Sequence, residues 1–176
     1  DLSPMGAQPM HSASGRFVLT YNGELYNTGE IRNELSAFGV AFRGTSDTEV
    51  LINAIELWGL DRTLEKLNGI FAFGCWDRRD RRLVLARDRF GAKPLFWSRI
   101  DKGLLFASEL RSIAITPGFD RSLDLAAVGA FLQYNYIRSP LTIYAHAHSL
   151  PAGCAMSIEA DGAIREWHYW DLAEVV

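Results

Sequence analysis

Cysteine is scarce in this chain: 176 residues contain two, Cys75 and Cys154, each in apolar surroundings. Neither belongs to a CxxC pair or a Cys/His cluster, which argues against a disulfide framework and against a zinc site. Two isolated thiols fit a reducing, cytoplasmic setting. An excess of one charge is also lacking. The 18 Lys and Arg face 21 Asp and Glu, a formal charge of −3, and that makes no electrostatic case for nucleic acid or an anionic membrane. The run Arg78-Arg79-Asp80-Arg81-Arg82 reads as a solvated hairpin tip, not a basic patch. No apolar run reaches about 18 residues, so nothing reads as a membrane span. There is no signal-peptide pattern, no internal repeat and no low-complexity segment. An initiator Met is lacking too. The chain opens Asp1-Leu2-Ser3-Pro4, as though in the middle of something longer.

What is present is apolar. Hydrophobic residues make up 48% and aromatic residues 12%, enough for the core of one domain. Residues 1–15 carry Pro, Gly, Ser and Met without a period and read as a loop ending at Ser14-Gly15. A strand is expected over 16–21. Asn27-x-x-Glu30 has the form of a capping box. The helix it opens puts Ile31, Leu35 and Phe38 on one face and stops at Gly39. Val40-Ala41-Phe42 is a short strand candidate. Ser46-Asp47-Thr48-Glu49 is the clearest helix start, with Ser at the N-cap and Glu at N3. Val50, Leu51, Ala54, Ile55 and Trp58 follow at helical spacing until Gly59. A short helix over 61–67 ends at Asn68-Gly69.

The middle of the chain changes character. Ile70-Phe71-Ala72-Phe73-Gly74-Cys75-Trp76 is a nearly unbroken apolar run, which predicts a strand buried on both faces. A turn over 77–81 leads to the returning strand Leu83-Val84-Leu85-Ala86. Leu95-Phe96-Trp97 and Leu104-Leu105-Phe106-Ala107 are further short strands around a turn at Asp101-Lys102-Gly103. Helices are expected over 109–115 and 125–134, the second capped by Ser122 or Asp124. Pro140, Pro151 and Gly153 break up the chain, and weaker strands follow over 154–158 and 163–169, joined at Asp161-Gly162. Strands so closely spaced pair by hairpins. Early helices followed by strands predict an α+β fold, not a βαβ alternation.

The chemistry is concentrated in Tyr21-Asn22-Gly23-Glu24-Leu25-Tyr26-Asn27. Asn-Gly between apolar residues is a hairpin signal. The same pair can also be a ligand site, because a carboxamide N–H and a bare Gly N–H can converge on an oxyanion. Glu24 and Asp47 could receive an ammonium through charge-assisted hydrogen bonds. Asp47 in a first helical turn is equally explained by the helix dipole. Nucleophiles are lacking: Cys75 and Cys154 read as buried structural residues. His146-x-His148 could place two imidazoles on one strand face, but no third ligand is evident, so no metal site is expected. Residues 87–94, Arg-Asp-Arg-Phe-Gly-Ala-Lys-Pro, read as a salt-bridged turn and lack the Walker A spacing.

Several stretches, taken in order, resemble a known family. They are Asp1-Leu2-Ser3-Pro4 with Gln8-Pro9-Met10, the Asn22-Gly23-Glu24 stretch, Ser46-Asp47-Thr48-Glu49-Val50, Leu67-Asn68-Gly69-Ile70-Phe71-Ala72-Phe73, residues 86–95 and Phe106-Ala107-Ser108-Glu109-Leu110. The set resembles the class II glutamine amidotransferase domain of glutamine-hydrolysing asparagine synthetase, over residues 1–170, with 171–176 beginning a linker. The resemblance implies an N-terminal-nucleophile hydrolase fold, a four-layer αββα sandwich of two stacked antiparallel sheets, here without its N-terminal strands. It implies a reaction in which an N-terminal Cys attacks the side-chain amide of glutamine. Glutamate and ammonia result, and the ammonia passes to a C-terminal synthetase domain that activates aspartate with ATP and Mg²⁺. No cofactor is implied for the amidotransferase domain itself. Asn22 and the Gly23 N–H would form the oxyanion hole, and Glu24 and Asp47 would hold the α-amino group of glutamine. Residues 87–94 would be structural.

The catalytic Cys of the family pattern, and the Arg that takes the glutamine α-carboxylate, fall before Asp1. The chain is therefore expected to hydrolyse no glutamine by itself. Two other readings stay open: a non-catalytic binding module of the same fold, and an amidotransferase half serving another acceptor. Sheet edges left open by absent strands would pair with a second copy as a homodimer, or leave the chain marginally stable.

Overall fold

The computed structural model describes residues 3–101 and 103–174. The readings above that touch Asp1, Leu2, Lys102, Val175 and Val176 lie outside the described residues. Two strands open the fold, β1 (Met10–His11) and β2 (Phe17–Leu25). Three helices follow, α1 (Thr28–Ala37), α2 (Asp47–Trp58) and α3 (Leu60–Lys66). Next come β3 (Gly69–Asp77), β4 (Arg82–Arg87), β5 (Phe96–Ile100) and β6 (Gly103–Ala107). Helices α4 (Leu110–Ala114) and α5 (Leu125–Tyr134) lead to β7 (Ala147–Ser149), β8 (Cys154–Ile158) and β9 (Ile164–His168).

The strands form two antiparallel sheets, one of six strands in the order β1-β2-β3-β4-β8-β9 and one of three in the order β6-β5-β7. The period of two in a strand decides what each face meets. Leu19, Tyr21, Leu25, Phe71 and Phe73 turn toward the helices and pack on Ile31, Leu35, Val50, Leu51, Ile55 and Leu64. Ala72, Leu85, Cys154 and Met156 turn the other way and meet Trp97, Leu104 and Phe106 of the smaller sheet. The far side of that sheet, Phe96, Ile100 and Leu105, packs on Ile113 and Ala114 of α4. The result is the helix–sheet–sheet–helix order expected of an α+β sandwich. The apolar run at β3 is the central strand, buried on both faces as expected, with Phe71 and Phe73 each 1% exposed.

Helix α2 starts as expected: the Ser46 hydroxyl accepts from the Thr48 N–H at 3.1 Å, and Gly59 ends it at φ 80°. Its N3 residue departs from the capping box, since the buried Glu49 carboxylate takes the Arg43 and Gly44 N–H groups. The Asp124 carboxylate caps α5 through the Ala126 and Ala127 N–H groups.

Four local expectations fail. Asn22-Gly23 makes no turn; β2 runs straight through it, paired to β3 as far as Leu25 opposite Gly69. Asn27 precedes α1 without a side-chain cap. Its carboxamide is taken instead by the Lys66 carbonyl and the Asn68 N–H, which tie α1 to the start of β3. Phe38 lies beyond the last helical residue and is 64% exposed. Val40-Ala41-Phe42 forms no strand. Strands β1 and β7 were not anticipated, being only two and three residues long.

Candidate functional site

The C-terminal half of β2 carries the candidate residues, and Gly23 explains how it sits. A Cβ at Gly23 would lie 2.3 Å from the Ile70 carbonyl oxygen and 2.7 Å from the Phe71 Cα. A Cβ at Gly69 would lie 2.3 Å from the Glu24 carbonyl oxygen. Both glycines are required by close approach of two backbones, not by a turn.

The register fixes where the Gly23 N–H points. Phe71, opposite Gly23, directs both of its backbone groups to Asp88 on the β4 side: its N–H to the carboxylate and its carbonyl to the Asp88 N–H. Gly23–Phe71 is therefore a non-hydrogen-bonded pair. The N–H groups of Tyr21, Gly23 and Leu25 all face the opposite edge of β2. There β1 reaches only Val18 and Leu19. The Tyr21 N–H donates to the Gln8 side-chain oxygen at 2.6 Å, and the Leu25 N–H donates to Asp47 Oδ2 at 3.2 Å. The Gly23 N–H lies between these two, with no bond to β3.

Asn22 and Glu24 alternate onto the face away from the helices, and both are exposed. The Asn22 side-chain N–H donates to the Ser108 hydroxyl at 3.0 Å, across the gap between the sheets. Beside this bond lies a cleft of about 360 Å³, lined by Gln8, Asn22, Leu95, Phe106 and Ser108 among others. Its wall is largely apolar with a few converging amide and hydroxyl groups, a composition suited to a small polar ligand.

Asp47 approaches from the other face. It opens α2, and its Oδ2 also accepts from the Tyr21 hydroxyl at 2.9 Å. Burial, and next to it the Asp47 charge, push the Tyr21 phenol far above its ordinary range. The four candidates thus gather at one strand end. Asn22, Gly23 and Glu24 are successive in β2, and Asp47 is anchored to the residue after them. They do not share one face: Asn22 and Glu24 lie on the face away from the helices, with Asn22 lining the cleft, and Asp47 reaches the strand from the helix layer. Tyr21, Gln8 and Ser108 were missed as contributors, because each acts through a contact distant in sequence that no local pattern encodes.

The other candidates stay apart from the cleft. Cys75 and Cys154 are 3% and 0% exposed. Burial pushes the Cys75 thiol up to about 12 and the Cys154 thiol up to about 11, so neither is poised as a nucleophile. Cys154 Sγ lies 3.4 Å from His168 Nδ1, an interior thiol against a neighbouring strand. His146 falls outside β7 and pairs with Asp120 at 3.3 Å, whereas the His148 ring lies tilted against Trp97, 4.7 Å between centroids. The two imidazoles do not line one strand face. Among the described residues no group of three His, Cys, Asp or Glu could hold a metal, and no helix is long and apolar enough to cross a membrane.

Residues 87–94 are not held by ion pairs. The Arg87 guanidinium donates to the carbonyls of Gly91, Lys93 and Leu150 and to the Ser149 hydroxyl. The Asp88 carboxylate accepts four backbone N–H groups. The Arg87 and Asp88 charges are each met by backbone and hydroxyl dipoles, because the loop folds tightly around these two side chains.

A family model described as a glutamine amidotransferase domain matches residues 1–170. The chain is 36% identical over 170 residues to glutamine-hydrolyzing asparagine synthetase 3 of Bacillus subtilis, covering 95% of this chain and 27% of that protein. It is 37% identical over 153 residues to a putative glutamine-hydrolyzing asparagine synthetase of Mycobacterium tuberculosis, covering 85% of this chain and 23% of that one. The chain therefore spans about a quarter of the length of the curated relatives it matches. Among solved structures, a glutamine phosphoribosylpyrophosphate amidotransferase from B. subtilis gives a TM-score of 0.66 at 20% identity, covering 96% of this chain and 33% of that chain. A glutamine aminotransferase class-II domain protein from Silicibacter pomeroyi gives 0.56 at 16% identity, covering 92% and 72%. At those identities the likeness is one of fold, two antiparallel sheets packed between helices.

Proposed function

Because the chain belongs to the glutamine amidotransferase domain family, we propose that it is the glutamine-binding half of a glutamine-hydrolysing asparagine synthetase. Residues 1–170 are read as that domain, and 171–176 as the start of a connecting segment. The observation that carries the reading is the outer edge of β2. Three N–H groups face one way; Gln8 takes the first and Asp47 the third. The Gly23 N–H stands between them, on the residue next to Asn22.

In this reading the side-chain amide of glutamine lies at that edge. When a thiolate adds to its carbonyl carbon, the oxygen gains the negative charge, and the Asn22 and Gly23 N–H groups stabilise it. Removing one such donor costs about 10²–10³ in rate. Glu24 and Asp47 receive the α-ammonium of the substrate. Collapse of the adduct releases ammonia, and water then frees glutamate. In the whole enzyme the ammonia is passed to aspartate activated by ATP with Mg²⁺ in the synthetase domain. The buried cysteines of this chain do not supply the thiolate, so the chain by itself binds glutamine without hydrolysing it. Self-association is read as pairing of the free sheet edges between two copies; a concentration-independent monomer in sedimentation would count against it.

L-Glutamine titrated into the ¹⁵N-labelled chain is expected to shift the Gly23 backbone and Asn22 side-chain signals together. Binding that leaves both signals unmoved would sink the assignment. Ammonia release by the purified chain, abolished by Asn22→Ala, would overturn the inactive state.

A further inference from the structure

Asn22 carries a demand that its own strand does not meet. A carboxamide is a broad, roughly two-fold rotor about its last torsion, and Asn22 is exposed. Left alone, it would present its N–H and its carbonyl to the cleft in turn. An oxyanion accepts only the N–H.

The group that restrains it comes from the other sheet. Ser108 follows β6 directly, and its hydroxyl takes one Asn22 side-chain N–H at 3.0 Å. The serine is itself well fixed. Ala107 pairs with Phe96 in β5. Phe106 presses against Gly74 of β3, where an added Cβ would lie 2.4 Å from its ring. The seat of Ser108 is therefore set by the stacking of the two sheets.

We propose that Ser108 is a positioning residue for the Asn22 carboxamide: it accepts one side-chain N–H and so aims the second into the cleft, at the amide oxygen of the bound substrate. The inference rests on the oxyanion-hole reading of Asn22. A hydroxyl can donate as well as accept, so the bond by itself suits either face of the amide. The requirement for an N–H in the cleft decides the direction, and Ser108 then accepts. The arrangement also couples the site to the packing of the sheets, since any sliding of β6 over β3 moves the acceptor.

The test uses the ¹⁵N-labelled chain with Ser108→Ala, Ser108→Thr and Asn22→Ala. The Asn22 side-chain NH₂ pair needs no ligand to report. Its order parameter is expected near about 0.8 in the parent chain and below about 0.6 in Ser108→Ala, with Ser108→Thr restoring it. L-Glutamine affinity is expected to fall about three- to tenfold in Ser108→Ala and to return with Thr. An unchanged Asn22 signal in Ser108→Ala, or no recovery with Thr, overturns the positioning role. L-Glutamine affinity unmoved by Asn22→Ala, or no L-glutamine binding by the parent chain, overturns the reading beneath it instead.

Discussion

The Tyr21 hydroxyl and the Leu25 N–H donate to the same oxygen of Asp47, at 2.9 and 3.2 Å. One carboxylate oxygen thereby holds the first turn of α2 against the end of β2. The helix dipole and these two hydrogen bonds favour the same charge on Asp47. Tyr21→Phe removes one of the two anchors while keeping the ring in the core. We expect a stability loss of about 1–2 kcal/mol, seen as a lower denaturation midpoint with unchanged slope. L-Glutamine affinity should fall with it, because the carboxylate is freed to turn. A midpoint within error of the parent chain would show that the hydroxyl contributes nothing.

Gly23→Ala should be among the most damaging small substitutions in the chain. The new Cβ would meet backbone atoms of Ile70 and Phe71 at 2.3 and 2.7 Å, and backbone in a central strand cannot step aside. Overpacking of this kind costs about 1–3 kcal/mol or more. Gly129→Ala in α5 is the control. Nothing lies within 4 Å of its Cβ position, and the gain in helix propensity predicts about 0.5–1 kcal/mol of added stability. Urea melts of the two variants should move in opposite directions; a Gly23→Ala midpoint at or above that of the parent chain would refute the close-approach argument.

These two sites show what the sequence made legible and what it did not. Where a structure is dictated locally, the reading held. Ser46 and Gly59 bound α2, Asp124 caps α5, and the unbroken apolar run became the buried central strand β3. Asn22-Gly23 has the composition of a turn, and the local rule pointed to one. What overrides it is Gly69, forty-six positions away in the chain, whose missing Cβ lets the two backbones close; only pairing reveals that partnership. The same holds for residues 87–94. Alternating charges suggest ion pairs, yet Arg87 and Asp88 turn to backbone groups that the loop brings near only after folding. That Asn22, Gly23, Glu24 and Asp47 lie near one another was partly legible, because three of them are adjacent and the fourth opens a recognisable helix. The contacts of Gln8, Tyr21 and Ser108 were not, since they exist only across strands or between sheets.

Alkaline pH should destabilise the protein before it affects an ordinary surface. Burial raises the thiol of Cys75 from 9.0 to about 12 and that of Cys154 from 9.0 to about 11. Burial likewise raises the Tyr21 and Tyr169 phenols above their ordinary 10.0. All four groups are neutral when protonated. As the pH rises, the unfolded chain therefore loses these protons first. Their stabilisation is complete below about pH 9 and is lost progressively as the pH climbs toward the folded values. The melting temperature should be flat from neutral pH to about 8.5 and fall steeply beyond it. Tyr169→Phe, which also removes a 2.7 Å bond to the Arg87 carbonyl, should lower the plateau and flatten the alkaline slope. An unchanged slope would remove Tyr169 from the account.

Asp88→Asn tests whether the loop after β4 holds the site strand in register. Both carboxylate oxygens accept two N–H groups: Oδ1 from Phe90 and Ala92, Oδ2 from Phe71 and Lys93. The side chain is buried, with Asp88 1% exposed. An amide of the same shape turns one of those oxygens into a donor, so two backbone N–H groups face an N–H and lose their acceptor. Each unsatisfied buried donor costs about 1–3 kcal/mol, which predicts a loss of about 2–5 kcal/mol in the denaturation midpoint. The rotamer decides where the damage falls. If the amide nitrogen takes the Oδ2 place, the Phe71 N–H is freed, and Phe71 is the residue whose orientation sends the Gly23 N–H outward. If it takes the Oδ1 place, only the turn at Phe90 and Ala92 loosens. Amide hydrogen exchange separates the two, since faster exchange at Phe71 accompanies the first and faster exchange at Ala92 the second. Parent-like exchange at all four N–H groups would show that the carboxylate is not their acceptor in solution.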